Sequence, residues 1–145
     1  MSDVQSSLFQ GLRASASGMA AERARIDVVA KNLSNAQVTR MPDGSGPYRR
    51  QLVRFSTVMN RAVGHRQEPL GVRVEGVEPD MVTPLVRVHE PGHPHADAEG
   101  IVTYPNIQAT SEMADLITAV RAYESNSNAA ESFVRMAERA LRIAQ

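Results

Sequence analysis

A chain of 145 residues, with 16 basic and 16 acidic side chains that cancel and no cysteine, has room for one ordinary domain. The balance gives no electrostatic reason to bind nucleic acid or an anionic membrane, and the missing thiols exclude disulfides and thiolate metal sites. Three Tyr, three Phe and no Trp leave little of the aromatic area on which enzyme cores usually lean, so a large single core is not expected. The first thirty residues lack a basic start followed by a long apolar run, so a cleaved secretory signal is not expected either. No apolar run is long enough to span a bilayer.

All eight prolines fall between Pro42 and Pro105, and because Pro breaks helix interiors they divide the chain into segments 1–41, 42–105 and 106–145. In the first segment Leu12, Met19, Ile26 and Leu33 recur every seven places, with Phe9, Ala16 and Ala30 beside them. This is an apolar stripe at helical spacing, and it predicts a helix over 4–35. Gly11, Ala14, Gly18 and Ala21 form a second stripe of small residues. Each glycine inside a helix costs about 1 kcal/mol relative to Ala, which points to another backbone passing close by. Asp27 and Lys31 have the spacing of a surface ion pair. The helix ends on amides, Asn32 and Asn35, placed around Leu33.

The middle segment reads as turns and short strands. "MPDGSGPYRR" and "EPGHPHADAEG" are turn-dense loops. "YRRQLVRF", "GVRVEGV", "LVRVHE" and the short "IVTY" have strand-like alternation or β-branched enrichment. In the last segment Met113, Val120, Ser127, Val134 and Leu141 hold one heptad position, while Leu116, Tyr123, Ala130, Ala137 and Ala144 hold the position three later. That a/d seam predicts a helix over 111–144. Glu131 with Arg135 and Glu138 with Arg142 add surface pairs, and Glu112 and Asp115 suit the positive end of the helix dipole. The expected fold is mainly α, with two long terminal helices pairing as a coiled coil around a small β-rich insertion. The seams are expected to pair the two helices in part. The small stripe, with Ile117 and Phe133 beside the second seam, is left to be covered by other subunits.

Three patterns invite a chemical reading. His93, His95 and Asp97 have the H-x-H-x-D spacing of some metallohydrolases, but Ala98 stands where such sites usually continue with His, and no metal or other cofactor is expected. There is no Cys, no G-x-S-x-G elbow and no phosphate-binding G-x-x-x-x-G-K-[ST], so neither catalysis nor a small-molecule substrate is expected. Arg49, Arg50 and Arg54 read best as a charged strand face that blunts an edge.

"NLSNA" (Asn32 to Ala36) and "RAYESN" (Arg121 to Asn126) resemble the paired signatures of the bacterial flagellar axial proteins, those of rod and hook. "PDGSGPYRRQLVRF", "EPGHPHADAEGIVTYPNI" and "EMADLITAVRAYESN", with the short total length, are similar to the proximal rod members of that family. Ser34 and Ser125 stand where Ala would be the common residue. The resemblance implies a structural subunit, exported unfolded through the flagellar type III apparatus, that polymerises through its terminal helices into the hollow drive shaft crossing the periplasm. Its implied partners are copies of itself and the other rod proteins, with the membrane ring and export gate at the base.

On this reading the interaction residues are Leu12, Met19, Ile26, Asn32, Leu33, Asn35, Met113, Leu116, Val120, Tyr123, Asn126, Val134 and Leu141. The amides of Asn32 and Asn35 around Leu33, and of Asn126 and Asn128 around Ser127, are expected to fix axial register, as buried Asn does in coiled coils. Another rod or hook subunit, a soluble helical-hairpin adaptor or chaperone, and a small metallohydrolase are the alternatives.

Overall fold

The computed structural model describes residues 2–61 and 67–143. In chain order the elements are α1 (Ser2–Ser34), β1 (Gln51–Arg61), β2 (Gln67–Pro79), β3 (Val86–His89), β4 (Ile101–Tyr104) and α2 (Ala109–Ile143). The strands form two separate antiparallel pairs, β1 with β2 and β3 with β4. Position 144 of the expected seam lies outside the described residues.

The two helices, of 33 and 35 residues, are each about 50 Å long at ~1.5 Å per residue. They lie antiparallel in constant register. Gly11 faces Phe133, Gly18 faces Asn126, and Asn32 bonds to Glu112, so every seven residues gained along α1 are matched by seven lost along α2. Arg25 and the fully buried Ala119 occupy the remaining step. The glycines are needed for this approach: a Cβ at Gly11 would enter the ring of Phe133, and one at Gly18 would lie 2.8 Å from Asn126 Nδ2.

This corrects the expected seam. Gly11 and Gly18 of the small stripe, against Phe133 and Asn126, form the contact between the helices, whereas Met113, Val120, Val134 and Leu141 lie outside it and are exposed. Leu116 is half-buried and Tyr123 is exposed at its margin. The Val and Leu positions follow the true contact by one residue. The flat approach of two backbones over glycine favours the line where α1 is thinnest, over the line where α2 is greasiest.

The β1–β2 hairpin runs from Gln51 opposite Pro79 to Arg61 opposite Gln67, with irregularities at Arg54/Phe55 and Val58/Met59. Both strands are longer than their β-branched cores suggest. Pro69 is accommodated opposite Met59, beside the second irregularity, as expected for a residue that cannot donate to a ladder. The hairpin leans on α1 through β2. Any Cβ at Gly71 would overlap Ser17 Oγ, and the Val72 amide donates to that same oxygen at 3.1 Å.

The shorter pair, β3–β4, aligns Val86 with Tyr104 and His89 with Ile101. The core is small: Ala21, Val28, Val29, Tyr48, Val102 and Ala119 are its buried apolar members.

Candidate assembly surface

α1 stops at Ser34 because its last turn is closed by side chains. Ser34 Oγ and Asn35 Nδ2 donate to the Lys31 carbonyl at 2.9 and 2.7 Å, meeting acceptors that a helix end otherwise leaves open. Asn35 therefore caps its own helix. Asn32 also departs from its expected part, since it is buried and its amide is satisfied within the chain. Its Oδ1 accepts from the Gln51 amide at 2.9 Å and the Tyr48 hydroxyl at 3.1 Å. Its Nδ2 donates to the Gln51 carbonyl at 2.9 Å and to Glu112 Oε2 at 3.0 Å. Asn126 Nδ2 donates to the Ala122 carbonyl of its own helix at 3.0 Å.

Glu112, in the first turn of α2, is the partner that sequence spacing did not reveal. Its other oxygen accepts from Arg50 Nε, and Arg50 Nη2 reaches Asp115 Oδ2 at 3.2 Å. Burying a carboxylate is costly unless it is paired and hydrogen-bonded, and here both oxygens are taken. Burial raises the Tyr48 hydroxyl pKa above its ordinary value, with the Glu112 charge adding to the effect.

The junction continues outward. The Arg50 amide donates to Asn106 Oδ1 at 2.9 Å, and the Asp80 amide donates to the Arg50 carbonyl at 2.7 Å. Arg49 Nη1 donates to the Asp80 carbonyl at 3.2 Å. Of the three arginines, only Arg54, paired with Glu78 at 3.1 Å on the surface, behaves as the edge charge the sequence suggested.

Beside this junction lies a cleft of about 280 Å³. Val29, Leu52, Val53 and Phe55 form its apolar walls, and Arg25, Asn32, Arg50, Glu112 and Asp115 its polar lining.

The histidine loop is built by its own hydrogen bonds. Asp97 Oδ1 accepts from the amides of Glu99 at 3.0 Å and Ile101 at 2.8 Å. His95 Nδ1 pairs with Thr39 Oγ1 at 2.8 Å, and the His93 ring meets those of His95 and Tyr104 edge-on. The three residues do not converge, and among the described residues no group of three or more His, Cys, Asp or Glu is placed to hold a metal.

Among the described residues, one flank of the helix pair is left open. Leu12, Met19, Ile26 and Leu33 each follow a residue of the contact line on α1 by one place. Met113, Val120, Ser127 and Val134 do the same on α2. In an antiparallel pair in constant register these two sets lie on the same side. The opposite flank of α1, at Ala14 and Ser17, carries β2. The open side is therefore a single face. The α1 members are half-buried, while Met113, Val120, Val134 and Leu141, with Ile117 beside them, are exposed.

Comparison with known proteins gives these features a family. Residues 12–40 match the family described as flagella basal body rod protein. Residues 98–143 match the one described as flagellar basal body rod FlgEFG protein C-terminal. The chain is 37% identical to the flagellar basal-body rod protein FlgC of Borreliella burgdorferi, covering 95% of this chain and 98% of that protein. It is 36% identical to FlgC of Bacillus subtilis, covering 93% and 97%, and 40% identical to FlgC of Salmonella typhimurium, covering 76% and 78%. With this likeness running nearly end to end, the chain belongs to the FlgC family of flagellar basal-body rod proteins.

Proposed function

We propose that this structural subunit of the flagellar rod enters its assembly through the open face of the helix pair, Leu12, Met19, Ile26 and Leu33 with Met113, Val120, Val134 and Leu141. The observation that carries the proposal is that both helices repeat residues every seven places, apolar but for Ser127, along a flank that among the described residues stays exposed on α2 and half-buried on α1. Such a face costs solubility in an isolated molecule and is typical of a binding surface. Packed against the helices of other subunits, the pair acts as a coiled coil in the wall of the tube. Stiffness then comes from many modest contacts.

The neighbours are copies of this chain and other rod proteins, with the ring and export gate at the base of a shaft that crosses the periplasm. A cysteine-free chain suits passage through an export channel in the unfolded state, since no cross-link can form before arrival. No residue acts as a catalyst.

The test is Val120→Asp. Val120 is exposed, so the isolated protein should keep its stability within about 0.5 kcal/mol. A charge buried in the assembled wall without a partner should abolish rod formation and swimming while export continues. Normal swimming by this variant would overturn the proposal.

A further inference from the structure

An exposed apolar turn and a cleft with apolar walls lie at the base of the β1–β2 hairpin, and the turn does not line the cleft of its own chain. The first feature is the turn that follows β2. Asp80 folds it: Oδ1 accepts from the amides of Val82 at 2.9 Å and Thr83 at 3.0 Å, and Oδ2 accepts the Thr83 hydroxyl at 2.7 Å. Asn106 Nδ2 donates to the Thr83 carbonyl at 3.2 Å from behind. At the tip of this pinned turn stand Met81, 69% exposed, and Val82, 94% exposed. A loop tip serving only as a connection has no need of two apolar side chains, nor of so many bonds holding them outward.

The second feature is the cleft of about 280 Å³ with apolar walls of Val29, Leu52, Val53 and Phe55 and a polar lining of Arg25, Asn32, Arg50, Glu112 and Asp115. Neither Met81 nor Val82 lines it, and an almost fully exposed Val82 touches little of its own chain.

We infer that the Met81–Val82 tip of one copy seats in the Val29–Leu52–Phe55 cleft of a neighbouring copy. The cleft has room for two aliphatic side chains. Val29, Leu52, Val53 and Phe55 offer them apolar walls beside the polar lining of the junction, and at such contacts a few buried anchors carry most of the binding. The tip is ordered before contact, so little conformational freedom is lost on docking. Because tip and cleft are different surfaces of the same chain, the contact is heterologous and propagates from copy to copy instead of closing a dimer. The inference rests on the reading of this chain as an assembling rod subunit. It adds a second contact, at the hairpin base, distinct from the helix face.

The chain has no cysteine of its own, which permits a direct test. The double variant Val82→Cys, Leu52→Cys is expressed in place of the parent, and isolated basal bodies are treated with diamide. A ladder of disulfide-linked multimers of this chain is expected, with no multimer from either single variant. Val82→Asp should cut swimming at least tenfold while secreted amount and melting temperature stay those of the parent. Absence of the ladder in a double variant that swims, cross-linking of Val82→Cys to a different rod component, or normal swimming of Val82→Asp would each overturn the inference. Comparison with Val120→Asp separates the two readings. If Val120→Asp is immotile and Val82→Asp swims, only the tip contact fails; if both swim, the helix-face reading fails with it.

Discussion

The two ends of the helix pair are held by different physics. At the end where α1 finishes and α2 begins, Asn32 and Glu112 are each only 1% exposed and every polar atom they bring is bonded to the hairpin base or to each other. At the other end Gly11 lies under Phe133, while Phe9 and Leu141 stand 64% and 62% exposed. The first end is finished within one molecule. The second is a close backbone contact with greasy flanks. A subunit that joins an assembly benefits from this division, because the satisfied end fixes the angle of the hairpin before the open flank meets a neighbour.

The largest expected effect breaks the finished end. Glu112→Ala leaves the Arg50 guanidinium with Asp115 alone and the Asn32 amide nitrogen with the Gln51 carbonyl alone at a buried junction, and removing one member of a buried pair costs on the order of 3 kcal/mol. Arg50 retains some exposure to water, which holds the cost at the lower end of that class. A lowered urea midpoint for the isolated protein, with tyrosine fluorescence reporting loss of packing at the same concentration, is the expected result. An unchanged midpoint would mean that the junction does not hold the two parts together.

A smaller effect probes the other end. Gly18→Ala gains about 1 kcal/mol of helix propensity, but its methyl group meets the Asn126 side chain, and overpacking of this kind costs about 1–3 kcal/mol. The variant should therefore be between neutral and about 2 kcal/mol less stable than the parent. Adding Asn126→Ala should recover the loss, because the obstructing side chain is gone. Additive effects in this double-mutant cycle would show that the two positions do not touch.

The sequence carried the outline well and the facing poorly. Proline placement and seven-residue spacing were enough for two terminal helices around a β insertion, and the four strands followed from alternation. Which line of each helix meets the other was hidden, because the contact line and the line one place beyond it share the same period. The signal that could have chosen was size. Gly11 and Gly18 on α1 recur at the same interval as Phe133 and Asn126 on α2, small residues against large ones. The bond from Asn32 to Glu112 spans 80 residues of sequence, and no local pattern links them. Glu112 therefore read as a dipole-favouring carboxylate at a helix start.

The smallest expected effect concerns acid. The Asp80 carboxyl is held below its ordinary value of 3.8, chiefly by the Thr83 amide and hydroxyl, with the Val82 amide and the Arg50 charge adding to them. A depressed value in the folded state means that folding favours the ionised form. The stabilisation is complete above the unfolded value and drains away as pH falls from about 4 through the lower folded value. Asp80→Asn keeps an acceptor for the two amides but offers the Thr83 hydroxyl an NH₂ where an acceptor stood. The variant should be slightly less stable at neutral pH, and its stability should fall less steeply than the parent's below about pH 4. The Val82 and Thr83 amide resonances, followed through an acid titration of the parent, should report the same transition. If they stay fixed while the rest of the protein unfolds, the turn that presents Met81 and Val82 is held by its backbone alone.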